Sequence, residues 1–185
     1  MSTHAAFLRG MNVGGHRLTN PELKSLFEGM GFQDVAVFQA SGNVVFDPGD
    51  LTGDAALEAR IEEGLEAGLG YGAPVFVRSA KEVRAIASHE PFDPAAVEAS
   101  AGKLQVTFLK AAPTASNKSK ALGLGTDDDQ LSIKGRELYW LPSGGVLDSE
   151  LDHKALGELL GTITQRTKGT IERMTKKFFE STNPS

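Results

Sequence analysis

The order of strand-like and helix-like segments in residues 1–78 most constrains what this chain can fold into. Short apolar segments typical of strands alternate with two segments in which apolar residues recur at helical spacing. The predicted strands are residues 4–9, 35–39, 43–46 and 74–78. The resulting order is βαββαβ, which predicts a four-stranded antiparallel sheet with two helices on one face, the ferredoxin-like arrangement.

The two helices of this unit have recognisable starts. Asn20 is the predicted cap of the first helix, because Pro21 follows it at the position that proline prefers. Asp54 is the predicted cap of the second helix. Four glutamates are expected on the solvent side of that helix, namely Glu58, Glu62, Glu63 and Glu66. Gly64 and Gly68 weaken it, each by about 1 kcal/mol relative to alanine.

The same order of segments recurs later in the chain. The strands predicted there are residues 104–109, 130–133, 137–141 and 162–164, with helices at 114–123 and from Leu151 to Leu160. The fold prediction is therefore a single α+β domain over residues 1–185 with an internal duplication of 3–78 and 103–166. Residues 79–102 join the halves through a helix that Ser79 and Glu82 open as a capping box, and a helix at 167–180 ends the chain.

Composition and charge exclude several classes of protein. The chain is 40% hydrophobic and 23% charged and contains no cysteine, which argues against disordered, membrane and disulfide-rich proteins. Its first residues resemble no leader peptide, so a cytoplasmic location is expected. Residues 1–100 carry a net charge of −7 and residues 101–185 carry +2. This acidic balance argues against nucleic acid as a partner, although the basic C-terminal helix leaves a non-enzymatic, nucleic-acid-binding module as the alternative function.

The glycine-rich loop that follows the first strand is the most informative segment for function. It runs from residue 9 to residue 17 between a strand and a helix, where backbone N–H groups can turn towards an anion. It matches neither the phosphate-binding P-loop nor the dinucleotide-binding glycine pattern. The alternative is a long turn that needs glycine for its positive φ angles.

The topology predicts that the turn at residues 41–43 lies at the same end of the sheet as this loop. We therefore expect a site that binds a polar, anionic small molecule where the two meet. The residues predicted to form it are Arg9, Asn12, Gly14, Gly15, Ser41 and Asn43. Arg9 would supply charge, the two glycines would supply backbone donors and the asparagines would supply oriented amides. The alternative for Asn43 is that it only serves its turn.

Arg9 itself has two possible roles. If its donors are paired with a carboxylate or a carbonyl, its role is structural, because a buried arginine must have its donors paired. If they point into an open cleft, anion binding is favoured. The second is the prediction, since no acidic residue lies between Arg9 and Glu22.

No reaction or cofactor is specified by the remaining motifs. Asp127, Asp128 and Asp129 could hold magnesium, but adjacent carboxylates in a loop are usually solvated, and no metal site is predicted. No serine is tied by sequence to His153 as in a nucleophilic triad. The sequence therefore leaves open whether the protein is an enzyme.

Two N-terminal motifs resemble a known family. Phe-Leu-Arg-Gly-Met-Asn-Val-Gly-Gly at residues 7–15 and Gln-Ala-Ser-Gly-Asn-Val-Val-Phe at residues 39–46 look like the signatures of domain of unknown function family 1697. The resemblance extends over nearly the full chain. It implies two intertwined ferredoxin-like subdomains and implies no activity.

Near the C-terminus the chain keeps only part of the family pattern. Arg166 and Thr170 match the residues that flank the family's Asn-Trp-Asn core, and the resemblance makes them candidate ligand-binding residues. That core is replaced here by Thr167, Lys168 and Gly169. If the core touches a ligand in relatives, this chain would bind that ligand differently or not at all.

Overall fold

The computed structural model describes residues 1–10, 18–39 and 42–180. The chain divides into two units, one formed by Met1–Ile86 with Arg173–Ser185 and the other by Ala87–Glu172. Each unit contains a four-stranded antiparallel sheet, so the predicted mixture of helices and antiparallel strands is confirmed.

The first unit is built around its first strand. Its elements are β1 (His4–Leu8), α1 (Asn20–Gly29), β2 (Gln33–Val37), β3 (Asn43–Asp47), α2 (Asp54–Leu69), β4 (Val75–Ser79) and α3 (Ala80–Ser88). The strand order is β2-β3-β1-β4, and β1 is antiparallel to both of its neighbours. The last four residues of β1 are at most 2% exposed, so its alternating side chains are buried on both faces of the sheet.

The second unit repeats this order of strands. Its elements are α4 (Pro94–Ala99), β5 (Gln105–Leu109), α5 (Ala115–Leu122), β6 (Asp129–Lys134), β7 (Glu137–Pro142), α6 (His153–Leu160), β8 (Ile163–Thr167) and α7 (Lys168–Met174). The strand order is β6-β7-β5-β8. Gln105 opposes Thr167 as His4 opposes Ser79, so the outer strands β8 and β4 have equivalent registers.

The starts of the first two helices differ from the sequence prediction. Thr19 caps α1, because its hydroxyl accepts the Glu22 N–H at 3.3 Å and the Glu22 carboxylate accepts the Thr19 N–H at 2.7 Å. This capping box leaves Asn20 as the first helical residue. Gly53 precedes α2 without a side-chain cap, so Asp54 lies in the first turn, where a carboxylate interacts favourably with the helix dipole.

Helices α1 and α2 approach closely because α2 carries two glycines where they meet. A methyl group at Gly64 would lie 2.5–2.9 Å from three side-chain atoms of Met30. One at Gly68 would lie 2.5 Å from a methyl carbon of Leu26. These glycines therefore make room for the side chains of Leu26 in α1 and of Met30 directly after it, a role that helix propensity alone does not reveal.

The row of glutamates on α2 was expected to face solvent, and for Glu58 this prediction is wrong. Its side chain is buried, and its Oε1 accepts the backbone N–H of Val77 at 3.0 Å. Glu62 Oε1 accepts the N–H of Val75 at the same distance. Both N–H groups belong to β4, an outer strand of the sheet. The strand thus directs N–H groups that no neighbouring strand accepts towards α2, and the glutamates accept them.

No helix in residues 1–10, 18–39 and 42–180 combines the length and the apolar composition that crossing a bilayer requires.

The close approach of α1 and α2 predicts opposite effects of two glycine substitutions. Gly64→Ala should lower the free energy of unfolding by about 1 kcal/mol, because overpacking against Met30 outweighs the gain in helix propensity. Gly157→Ala in α6 is the control, since nothing lies within 4 Å of its added methyl group. It should raise stability by about 0.5–1 kcal/mol. Urea denaturation measures both, and equal stabilisation by the two changes would contradict the packing argument.

Candidate functional site

The two candidate loops emerge at one end of the first sheet. Phe7 opposes Asn43 in the pairing of β1 with β3, and the Leu8 N–H donates to the Gly42 carbonyl at 2.9 Å. The chain therefore leaves β1 beside the point where it enters β3, as the topology predicted. Gly10 and Gly42 have φ angles of 73° and 70°, in the left-handed region that glycine adopts without strain.

Arg9 is exposed at this end of the sheet. Its backbone N–H donates to the Pro74 carbonyl at 2.9 Å, which extends the pairing of β1 with β4 by one bond. Within the described residues, its guanidinium makes no hydrogen bond or ion pair. Because the side chain is hydrated, no desolvation cost has to be offset by a structural partner. Arg9 is thus a cation placed at the mouth of the two loops.

Asn43 occupies the opposite environment, since it is completely buried. Its side-chain Nδ2 donates to the Phe38 carbonyl at 3.1 Å, and its backbone carbonyl accepts the Phe38 N–H at 2.8 Å. The side chain therefore closes the connection between β2 and β3, which is the role that the alternative assigned to it. The remaining predicted members of this site, Asn12, Gly14, Gly15 and Ser41, lie outside the described residues.

Arg166 and Thr170 lie in the second unit, where β8 leads into α7. The Arg166 Nη1 donates to the Thr164 hydroxyl at 3.0 Å and to the Gln165 carbonyl at 2.8 Å. Burial lowers the pKa of Arg166 to about 10, so the group remains cationic at neutral pH. The Thr170 N–H donates to the Thr167 hydroxyl at 3.2 Å, so Thr167 caps α7 and Thr170 lies in its first turn.

Arg78 is the first-unit counterpart of Arg166, and sequence analysis did not single it out. Arg78 opposes Ala5 in β1, just as Arg166 opposes Val106 in β5. It is completely buried, and its Nη1 donates to the Val77 carbonyl at 2.9 Å. The signal in the sequence is an arginine followed by a hydroxyl residue that caps a helix, present once in each half.

A surface cavity of about 520 Å³ in the second unit is lined by carboxylates. Those carboxylates belong to Asp127, Asp128, Asp129, Asp148 and Glu150. Within the described parts of the chain, no group of three or more His, Asp or Glu side chains is arranged to hold a metal ion.

Asp129 is a structural member of this cavity. It is 2% exposed, so the expectation of three solvated carboxylates is wrong at this residue. Its Oδ1 accepts the indole N–H of Trp140 at 2.8 Å and the hydroxyl of Ser149 at 2.7 Å. The carboxylate thus joins β6, β7 and the loop before α6. A buried indole needs an acceptor, and this pairing decides the burial of Asp129.

The basic residues near the C-terminus have local partners. The Lys168 ammonium lies 2.9 Å from the Glu172 carboxylate. The Lys177 ammonium lies 5.3 Å from the ring centre of Phe178 and 6.0 Å from that of Phe38. These contacts neutralise or cover part of the positive charge that the sequence places in this segment.

Comparison with known proteins identifies a family and a fold. A family described as "Protein of unknown function (DUF1697)" matches residues 1–139. The chain is similar to the solved structure of the conserved bacterial protein SP0830 from Streptococcus pneumoniae, with 18% identity and a TM-score of 0.66. That match covers 95% of this chain and 97% of the other, and at this identity it shows the fold alone. No curated protein matches the chain.

The bonds of Asp129 predict how the acidic cavity responds to substitution. Asp129→Ala should lower the free energy of unfolding by about 2–3 kcal/mol and change the fluorescence of Trp140, because the indole N–H loses its acceptor. Asp127→Ala is the matched control and should change stability by less than about 0.5 kcal/mol, since Asp127 is exposed. Magnesium should not shift the melting temperature of either protein. A magnesium-dependent rise in the unsubstituted protein that Asp129→Ala abolishes would contradict the structural role.

Proposed function

We propose that this chain, which belongs to the DUF1697 family of proteins of unknown function, binds a polar, anionic small molecule in the cytoplasm. The site is the sheet end at residues 9–15 and 41–43. The observation that carries the proposal is the exposed guanidinium of Arg9 beside Gly10 and Gly42. A hydrated cation next to backbone in the left-handed region is the combination from which anion-binding concavities are built.

The remaining chemistry of this sheet end supports an anion over a cation. Among the described residues within two positions of the two loops, Arg9 is the only charged side chain. The backbone N–H groups of Leu8 and Arg9 already donate to the carbonyls of Gly42 and Pro74. The Arg9 guanidinium would therefore supply the positive charge, while the Asn43 side chain stabilises the turn through its bond to Phe38. Asn12, Gly14, Gly15 and Ser41 would complete the donor set.

We also infer that the two halves arose by duplication of one ferredoxin-like βαββαβ unit, at residues 3–78 and 103–166. The equal strand orders and the equal registers of β4 and β8 support this inference. So do Arg78 and Arg166, each of which donates from Nη1 to the carbonyl of the residue before it. An experimental structure in which the two halves do not superpose on one another would refute it.

The binding proposal is tested by Arg9→Gln. We expect phosphate, pyrophosphate or a nucleotide to stabilise the unsubstituted protein, by about 2.7 kcal/mol at a hundred times its dissociation constant. Arg9→Gln should weaken that binding about 10- to 100-fold, because a charge-assisted hydrogen bond is lost. Its stability without ligand should change by less than about 0.5 kcal/mol, since Arg9 is exposed. Thermal melting and isothermal titration calorimetry measure these effects.

Lys81→Gln is the matched control, because it removes the same charge from an exposed residue of the same unit. It should bind the anion as the unsubstituted protein does. If no anion in the panel stabilises the protein, or if both variants lose binding equally, the proposed site is wrong. The alternative function, nucleic-acid binding through the basic C-terminal segment, is tested by titrating single-stranded and duplex DNA in the same way. That function requires an affinity that falls steeply as the salt concentration rises and that falls again in Lys176→Gln and Lys177→Gln.

A further inference from the structure

Strand β4 is an outer strand of the first sheet, and carboxylates accept the N–H groups along its outer edge. In an antiparallel sheet, every second residue of an outer strand points its N–H group away from the sheet. In β4 these residues are Val75, Val77 and Ser79, and their N–H groups donate to Glu62, Glu58 and Glu82 at 3.0, 3.0 and 2.8 Å. Four of the five residues of β4 are buried. No further strand can pair with an edge whose donors are already used.

The equivalent strand of the second sheet is β8, and no carboxylate accepts the N–H groups along its outer edge in the described residues. The registers of the two sheets make Ile163, Gln165 and Thr167 of β8 the counterparts of the three outward-facing residues of β4. In the part of the chain that the structure describes, none of their N–H groups has an acceptor. Only one residue of β8, Thr164, is buried.

Two local differences explain why one edge is closed and the other is not. Helix α2 has 16 residues and α6 has 8, which correspond to about 24 and 12 Å of helix. The glutamates that reach β4, Glu58 and Glu62, lie 11 and 7 residues before the last residue of α2. At the same distances from its own last residue, the shorter α6 has not yet begun or has only its first residue, His153. At the third position, Thr170 replaces Glu82, and its side chain bonds to the Thr167 hydroxyl instead of accepting the Thr167 N–H. The opening is thus built into the sequence of the second half.

We propose that β8 pairs antiparallel with β8 of a second copy of this chain, which joins two sheets across a twofold axis at Gln165. In this register Ile163 lies opposite Thr167 of the second copy, and the three outward-facing N–H groups of each copy gain carbonyl acceptors. The Gln165 carbonyl already accepts Arg166 Nη1, but its second lone pair remains for the partner strand. The interface is isologous, as a twofold axis requires.

The sequence of β8 fits a second copy better than an arbitrary strand because it is complementary to itself. The twofold register places Arg166 opposite Thr164, so the only charged side chain of the strand does not face its own copy. Gln165 faces Gln165 of the copy. Its amide already bonds to Thr107 and Gln105 of its own sheet at 3.3 Å, and its second N–H and second oxygen lone pair remain for the copy. A five-residue strand buries little area, so we expect a dissociation constant in roughly the micromolar range.

The first test is the mass of the full-length protein by sedimentation velocity between about 1 and 200 µM, the range that the expected affinity requires. We expect a concentration-dependent dimer.

Gln165→Lys places two cations at the axis and should weaken the dimer at least about 10-fold. Gln130→Lys makes the same change on the outer strand β6 of the same sheet and should leave the dimer intact. Gln165→Pro removes an outward N–H that no bond within the sheet uses, and it should also give a monomer.

The second test uses the absence of cysteine from the chain. A cysteine at position 165 would lie about 5.5 Å, Cα to Cα, from its copy across the axis, which is within disulfide range. With an added copper–phenanthroline oxidant, Gln165→Cys should form a disulfide dimer much faster than Gln130→Cys. Circular dichroism and thermal melting of each variant show that it is folded.

Three results would overturn the proposal. The protein could stay monomeric at 200 µM, the dimer could be unaffected by both Gln165→Lys and Gln165→Pro, or the two cysteine variants could cross-link at equal rates. A monomer whose β8 instead binds an unrelated extended peptide would also reject a second copy as the occupant.

Discussion

The structure of each unit depends on a first strand that is paired on both edges. Such a strand has its backbone hydrogen-bonding groups satisfied on both sides, and β1 also buries Ala5, Ala6, Phe7 and Leu8 on the two faces of the sheet. Because β1 ends between β3 and β4, its last bonds also set the position of Arg9. The position of Arg9 in the candidate site is therefore a consequence of where the central strand stops being paired.

Polar groups in this protein are buried where a backbone or indole donor would otherwise be left without a partner. Glu58 is buried because the N–H of Val77 faces it, and Asp129 is buried because the indole of Trp140 faces it. In both cases the carboxylate and its donor lie on successive elements of the chain, 19 and 11 residues apart. Burying these two carboxylates costs solvation free energy, and the hydrogen bonds offset that cost. Removing either partner would leave the other without a hydrogen bond. This logic explains why apparently solvent-facing acidic residues are structural here.

The two units show how the same topology can leave different surfaces exposed. Their strand orders and outer registers are equal, and both outer strands carry an arginine that bonds to the preceding carbonyl. They differ in the helix before the outer strand, which is twice as long in the first unit as in the second, and in Thr170, which replaces Glu82. These local changes leave an outer strand that can pair in the second unit, while the strand order of the sheet stays the same.

Much of the local structure was determined by the sequence alone. Hydrophobic periodicity and turn residues specified the order of the elements, and the pair Ser79 and Glu82 identified the start of α3, whose two capping bonds are present. Topology then placed Arg9 beside the Gly42 turn. These features follow from local spacing and from the rules of strand connection, so they can be obtained without coordinates.

Only the tertiary structure decided which residues are used inside the fold. Nothing local to Gly64 shows that Met30 will occupy the space beside it, and nothing local to Asn43 shows that its amide will bond to Phe38. The open edge of β8 likewise exists only in comparison with β4. Periodicity reports which face of an element is apolar, whereas the pairing of a polar group depends on which donor or acceptor the rest of the chain brings within about 3 Å of it.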